Sequence, residues 1–265
     1  MNKLPTKIEG NPKAPWLIFV NGLFASLESW NESVDFFTPH FHCLRYDGRG
    51  QGEGPRPTGG YDLSSLVDDL EHLMKEHSIE KAYFIGLSNG GRIALEFASR
   101  HPSRVQGVIA ADTYLRPSAL LKRKLQSWLY ANQKGGPLHR FDVATPWIWG
   151  ETIVQERPEL LEFYRQRAGV ESVHVIEGLI TGAMGEHEIN AQNISAPVLL
   201  CVGEEDVLTP PFSHMKMKTK IAHCELRIVA GGHASFLENP QSLKEVCLPW
   251  LLDQTKRKPW PGLSF

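Results

Sequence analysis

Ten residues, Ala82-Tyr83-Phe84-Ile85-Gly86-Leu87-Ser88-Asn89-Gly90-Gly91, constrain the fold of this chain more than any other stretch. Ala82 to Ile85 is an apolar, β-prone run. Gly86 to Gly90 fits the pattern G-x-S-x-G, and Ile93, Ala94, Phe97 and Ala98 follow at helical spacing. A strand that passes into a helix through so few residues makes a sharp turn. The serine at its tip then needs a strained backbone with positive φ. Glycines at 86 and 90 remove the Cβ atoms that would collide with the neighbouring chain. Gly91 and Ala94 extend the small face, so the helix can lie close on its sheet. The Ser88 hydroxyl is then expected above the strand, at the positive end of the helix. Such a turn suits an exposed nucleophile; without chemistry, the same residues make a β–α turn capped by a serine.

The flanking segments alternate in the same way. Pro15-Trp16-Leu17-Ile18-Phe19-Val20 is a continuous apolar run, as for a strand buried on both faces, and it ends in Asn21-Gly22. Ser29 to Phe37 reads as helical. Phe41 to Tyr46 is a strand that enters the glycine-dense loop Asp47-Gly48-Arg49-Gly50-Gln51-Gly52-Glu53-Gly54. From Asp62 to Lys75, the residues Leu63, Leu66, Val67, Leu70, Leu73 and Met74 form one helical stripe. Val105 to Ala111 is another buried strand, ending at Asp112. Strands alternating with helices predict a mostly parallel, doubly wound α/β sheet with right-handed crossovers. Ligands of such sheets bind at the carboxyl ends of the strands. Asn21, Asp47, Ser88 and Asp112 all fall there.

The alternation stops between Leu115 and Asn193, where helical patterns cover about 118–133, 147–154 and 158–183. The boundaries predicted are a core of residues 1–114 and 194–265 with a helical cap, residues 115–193, inserted in it. Gly135-Gly136-Pro137 and Pro146 are the expected break points. Trp128, Trp147 and Trp149 crowd this segment, either lining a pocket for an apolar substrate or anchoring the cap. The sheet resumes at Pro197 to Val202, and Glu225 to Val229 is the last strand. A helix from about Pro240 to Leu252 follows, and then a Pro/Gly-rich tail expected to be loosely held.

Composition narrows the function classes. The 265 residues carry 42% hydrophobic and 22% charged side chains, which suits a soluble globular protein. A formal charge of −2 argues against nucleic acid or an anionic membrane as the main partner. Met1 to Gly10 holds no signal-peptide core, and Trp16 to Val20 is too short to span a bilayer, so a cytoplasmic protein is expected. Cys43, Cys201, Cys224 and Cys247 are widely spaced, without the pairing of a zinc site or a disulfide framework. The first three lie in strand-like runs and are expected as reduced core residues. No metal or cofactor is implied.

Three chemically capable residues follow predicted strands in the order Ser88, Asp206, His233. A serine hydroxyl becomes a useful nucleophile when a base takes its proton, and an imidazole held by a carboxylate is such a base. His233 follows Gly231-Gly232, which permit a tight turn toward Ser88. Asp112 is a rival for the acid, since it ends the strand after the Ser88 helix. From about Pro15 to Leu252 the chain resembles the α/β-hydrolase superfamily. The resemblance rests on Asn21-Gly22, the D-x-R-G-x-G loop at Asp47, Gly86-Leu87-Ser88-Asn89-Gly90, and the Ser–Asp–His order. It is similar to the group holding enol-lactonases, aminoacrylate hydrolases, pimeloyl-carrier methyl esterases and cofactor-free haloperoxidases.

The resemblance implies a Ser88–His233–Asp206 triad, with backbone N–H groups of Leu23 and Asn89 as oxyanion donors. It implies a serine hydrolase of small-molecule carboxylic esters or lactones. Perhydrolysis, C–C or carbamate cleavage, or a ligand-receptor role are the alternatives. Asn21 stands where the family usually has histidine and could meet the substrate or brace the loop. The basic run Lys122-Arg123-Lys124 could meet an acyl-carrier-bound substrate or be a solvated helix face.

Overall fold

The computed structural model describes residues 3–256. Its elements alternate as the apolar runs require. Strand β1 (Thr6–Gly10) is followed by β2 (Trp16–Val20), β3 (His42–Tyr46) and helix α1 (Leu63–Glu76). Then come β4 (Ala82–Leu87), α2 (Asn89–Arg100) and β5 (Val105–Ala111). Four helices fill the next stretch: α3 (Ala119–Ile148), α4 (Glu151–Glu156), α5 (Pro158–Ala168) and α6 (Val173–Ala183). The sheet closes with β6 (Val198–Gly203), α7 (Pro211–Lys218) and β7 (Cys224–Val229), before α8 (Ser235–Glu238) and α9 (Leu248–Lys256).

One seven-stranded sheet has the order β1-β3-β2-β4-β5-β6-β7, with β1 antiparallel and all other pairs parallel. The central strands β4 and β6 are buried along their whole length. Charged Lys7 and Glu9 mark one edge and Glu225 and Arg227 the other, which blunts both against strand addition.

Side chains alternate between two cores, as a pleat of period two requires. Ile18, Val20, Leu44 and Phe84 pack under the apolar stripes of α1 and α2. Leu17, Phe19, Tyr83 and Ile85 pack on the other face against Trp30, Phe37, Phe236 and Leu251. Phe84 and Phe97 are fully buried, and each contributes roughly 2–3 kcal/mol relative to exposure. Helix α1 starts where Asp62 accepts the Ser65 N–H at 3.1 Å.

Several boundaries differ from the sequence reading. Ser29 to Phe37 forms two 3₁₀ turns, Leu27–Trp30 and Val34–Phe36, because the segment only bridges β2 to β3 over Phe19 and Phe37. The helical path of α3 does break at Gly135-Gly136-Pro137, as expected, but a second helical half follows where the sequence predicts no helix before about residue 147. Gly136, at φ 76, turns the axis, and Pro137 then opens a second helical half that runs to Ile148. Pro146 lies in the last turn of that half and breaks nothing. The expected run 158–183 divides at Gly169 into α5 and α6. Cys43, Cys201 and Cys247 are free and buried, but Cys224 is half-buried, since β7 is an edge strand. Among the described residues no helix is long and apolar enough to cross a membrane. The tail beyond Lys256 lies outside the described residues.

Candidate active site

Ser88 sits between β4 and α2 at φ 55, ψ −119, in the strained conformation expected for it. The strain is held from several sides. The Ser88 N–H donates to the Ala111 carbonyl at 2.7 Å, and Thr113 Oγ1 donates to the Ser88 carbonyl at 2.7 Å. Close approach explains both glycines. A Cβ on Gly90 would overlap the Val20 carbonyl oxygen, and one on Gly86 would overlap the Gly90 carbonyl.

His233 arrives from the loop after β7. Its own N–H donates to the Ile148 carbonyl at 2.8 Å, so the end of α3 fixes the loop. Glu238 braces it further by accepting the Gly232 N–H at 2.9 Å and the Gly150 N–H at 3.1 Å. The imidazole Nε2 lies 2.8 Å from Ser88 Oγ, and Nδ1 lies 3.0 Å from Asp206 Oδ2. Asp206 Oδ1 accepts the N–H groups of Leu208 (2.7 Å) and Thr209 (2.8 Å), while Thr209 Oγ1 donates to Oδ2 at 2.7 Å. Burial pushes the Asp206 carboxyl up, but the charge and hydrogen bond of His233 and the Thr209 bonds outweigh it and bring it to about 2. The carboxylate therefore stays ionised and holds the Nδ1 proton on the imidazole.

Asp112 is also at a strand end but does not touch His233. It is wholly buried at φ 50, accepting the Gly203 N–H at 2.8 Å and sitting 2.5 Å from Ser235 Oγ. Burial, reinforced by the Asp206 charge, raises its pKa well above the carboxylate range. Its two oxygens tie β5 to β6 and α8 by accepting from the Gly203 N–H and from Ser235 Oγ.

His214, which the sequence did not single out, lies fully buried behind this network. Its Nε2 accepts the Thr113 N–H at 3.0 Å, so the ring proton is on Nδ1, 3.5 Å from the Pro210 carbonyl. Burial brings its pKa down to about 4, against the opposing charge of Asp206. Between its ordinary 6.5 and about 4, the unfolded chain binds a proton that the folded one does not. Stability should therefore fall as pH falls through that window, by about 3 kcal/mol from this group. Below it, from 3.8 toward about 2, Asp206 takes over the loss with the same sign. Denaturant midpoints for wild type and His214→Gln should diverge in pH slope only between about 6.5 and 4. Parallel slopes in that window would assign the loss to other groups.

A cavity of about 380 Å³ opens over Ser88 and His233. Leu23, Phe24, Trp128, Trp149 and Tyr164 are among its walls. Among the described residues the N–H groups of Leu23 and Asn89 donate to no protein acceptor. The first belongs to a loop lining the cavity, and the second opens α2 directly after Ser88. This volume suits a small organic molecule. Among the described residues no cluster of three or more His, Cys, Asp or Glu is arranged to hold a metal ion.

Two residues expected at the substrate lie elsewhere. Asn21 is buried beneath the loop, donating to the Tyr46 carbonyl and accepting from Trp30 Nε1, both at 2.8 Å, so it braces. Trp147 turns away from the cavity and packs under Lys124 Nζ, 4.8 Å from its ring. It packs in the same cap cluster as Ala144 and Ile148, of which only Ile148 reaches the cavity. Lys122, Arg123 and Lys124 do not form one basic face. Lys122 pairs with Glu186, Lys124 is buried and donates to the Val207 carbonyl, and only Arg123 is exposed. Arg49 and Asp47 do not pair with each other either. Arg49 takes Asp69 with both oxygens at 2.5 Å, and Asp47 accepts the N–H groups of Leu27 and Glu53. The sequence reading also missed Thr209, Phe24 and Arg140. Only Thr209, three residues after Asp206, carried a local signal.

Comparison with known proteins agrees with this architecture. The profile of the family described as alpha/beta hydrolase fold matches residues 15–148. The 3-oxoadipate enol-lactonase 2 of Acinetobacter baylyi is 28% identical over 237 residues, covering 88% of this chain and 87% of its own. RutD of Serratia proteamaculans, named for carbamate hydrolysis, is 24% identical over 264 residues, covering 94% and 96%. The crystal structure of the enol-lactonase from Burkholderia xenovorans superposes with a TM-score of 0.88 at 24% identity, covering 94% and 96%. With the profile covering just over half its length, the chain belongs to the alpha/beta hydrolase fold family.

Proposed function

We propose that this protein is a serine hydrolase that cleaves a small carboxylic ester or lactone through an acyl-enzyme. The observation that carries this is the continuous relay Ser88 Oγ–His233 Nε2 (2.8 Å) and His233 Nδ1–Asp206 Oδ2 (3.0 Å), opening on one cavity. Ser88 Oγ attacks the carbonyl carbon while its proton passes to His233 Nε2. The carbonyl oxygen becomes an oxyanion, held by the N–H groups of Leu23 and Asn89. As the intermediate collapses, His233 returns the proton to the leaving oxygen. Water then attacks the acyl group, again giving its proton to His233, and Ser88 is released. Asp206 keeps the imidazole in the tautomer with a free Nε2 lone pair and stabilises the imidazolium.

Residues 115–193 act as the cap over a core formed by 1–114 and 194–265. Trp128 and Trp149 supply its contribution to the pocket, and the bond from His233 N–H to the Ile148 carbonyl couples cap to catalytic loop.

A fluorophosphonate tests the nucleophile without knowledge of the substrate. It should label one residue per chain, Ser88, identified by mass spectrometry of the modified peptide. No labelling, or labelling elsewhere, would refute the assignment. Carbamate cleavage is the second reading, supported by the RutD relative. A matched phenyl ester and phenyl carbamate separate the two, since each leaves phenol; faster carbamate turnover would favour that reading.

A further inference from the structure

Three arginines line the cavity, and two of them are occupied. Arg56 donates to the carbonyls of Gly52 and Gly54, at 2.6 and 3.2 Å, and Arg167 donates to Ser26 Oγ at 3.3 Å. Arg140, from the second half of α3, is different. Only 1% of it is exposed, yet it forms no ion pair and no hydrogen bond among the described residues. Its guanidinium carbon lies 4.1 Å from the ring centre of Phe24, which immediately follows Leu23. The charge therefore sits beside the loop that would hold the oxyanion.

The unused atoms are informative. Arg140 Nε and Nη2 are both buried without an acceptor. Together they form one edge of the guanidinium fork, the edge that takes a carboxylate by two parallel bonds. Elsewhere in this molecule that edge does so twice. Arg49 holds Asp69 through Nε and Nη2, both at 2.5 Å, and Arg165 holds Asp142 the same way, at 2.8 and 3.2 Å. In the first half of α3, Trp128 also lines the cavity, and its Nε1 is buried without an acceptor. The carboxylate facing this region, Glu171, is half-buried and lies 3.8 Å from Arg56, with no ion pair to Arg140. Burial brings the Arg140 pKa down to about 10 against the opposing charge of Glu171, which leaves the group charged at neutral pH. A buried charge without a hydrogen-bonded partner is costly, and packing against Phe24 and the more distant charge of Glu171 offset only part of that cost.

We propose that Arg140, assisted by Trp128 Nε1, is a carboxylate-binding subsite, so that the molecule cleaved at Ser88 is a small ester or lactone bearing a second, ionised carboxyl group. The inference rests on the hydrolase reading for its second half and on Arg140 alone for its first. Once bound, the carboxylate satisfies three buried donors and orients the scissile carbonyl toward Ser88. Apolar cavity walls then discriminate against neutral polar molecules, while Arg140 discriminates in favour of the anion.

Binding is tested without catalysis by titrating glutarate into the Ser88→Ala protein in a calorimeter. Saturable binding is expected, weakened about 100-fold when Arg140→Met is added. No binding to Ser88→Ala, or equal binding to both, would overturn the subsite whether or not the protein hydrolyses esters. Catalysis is tested with two matched pairs. Mono-p-nitrophenyl glutarate is set against p-nitrophenyl valerate for an acyl-side carboxylate, and 4-acetoxybenzoate against phenyl acetate for one on the leaving group. In one pair, the wild-type kcat/KM ratio should favour the anion and fall about 100-fold in Arg140→Met. Arg140→Lys, which keeps the charge but loses the two-point edge, should fall between and guards against misfolding. Ratios near one in both pairs, or unmoved by both substitutions, would also overturn it. Failure of every ester with glutarate binding intact would instead count against the hydrolase reading.

Discussion

Ser88→Ala should abolish hydrolysis of p-nitrophenyl butyrate, lowering kcat on the order of 10⁶-fold while the protein stays folded. The size of the effect follows from how the site is built. The cavity surface holds one hydroxyl aligned with an imidazole at 2.8 Å, and removing it leaves the proton acceptor His233 with no nucleophile to activate. The oxyanion donors and the pocket survive, so binding should change little. The change should appear in kcat and not in KM. Stability is expected to move by less than about 1 kcal/mol. Alanine keeps the backbone bonds from Ser88 N–H to Ala111 and from Thr113 Oγ1 to the residue-88 carbonyl, which hold the positive φ. Turnover kinetics on rigorously purified protein decide the matter. Residual activity above about one part in a hundred would mean that another group attacks the substrate.

How far the sequence discloses such a site depends on whether the forces acting are local. The buried strands could be read because an apolar run such as Leu17 to Val20 has only one stable environment, a sheet covered on both faces. The Ser88 turn could be read because the tight turn itself brings Gly86 against the Gly90 backbone, although Gly90 answers to the distant Val20 carbonyl of β2. Asp206 and His233 could be placed because each follows a strand, and strand ends in a parallel sheet converge. The choice between Asp206 and Asp112 could not be settled, since both end strands. What separates them is a 3.0 Å contact across 27 residues for one, and enclosure by β6 and α8 for the other. The helical segment was the least legible. Gly135-Gly136-Pro137 does interrupt the helix at Gly136, as its composition indicates, but Pro137 then starts a second helical half that the sequence pattern did not disclose. Missing the helix after the break hid Arg140. Trp147 and Trp149 differ by two residues, and only the exact helical end at Ile148 sends one outward and the other into the cavity. Packing of long-range partners decides such cases, and no period in the sequence encodes it.

Asp206→Asn should lower kcat about 10⁴-fold with the fold intact, and the reason lies in which atoms the side chain faces. One oxygen, Oδ1, receives two backbone N–H groups, from Leu208 and Thr209. An asparagine must place its carbonyl there, because its NH₂ group would oppose two donors. The NH₂ then faces Thr209 Oγ1 and His233 Nδ1, where Oδ2 sits now. A donor at that point forces Nδ1 to accept, so the ring proton moves to Nε2. The nitrogen 2.8 Å from Ser88 Oγ then carries a hydrogen and cannot take another. The imidazolium also loses its counter-charge. Asp112→Asn provides the contrast. Its carbonyl can accept the Gly203 N–H while its NH₂ donates to Ser235 Oγ, whose hydroxyl now donates to Oδ2 and can rotate to accept instead. Asparagine also tolerates the positive φ at 112. Its kcat should change less than about tenfold, since it touches no member of the relay. Steady-state kinetics on both variants, with thermal unfolding to verify folding, separate the roles. If the two lose activity equally, or if Asp112→Asn loses more, the assignment of Asp206 as the histidine's partner fails.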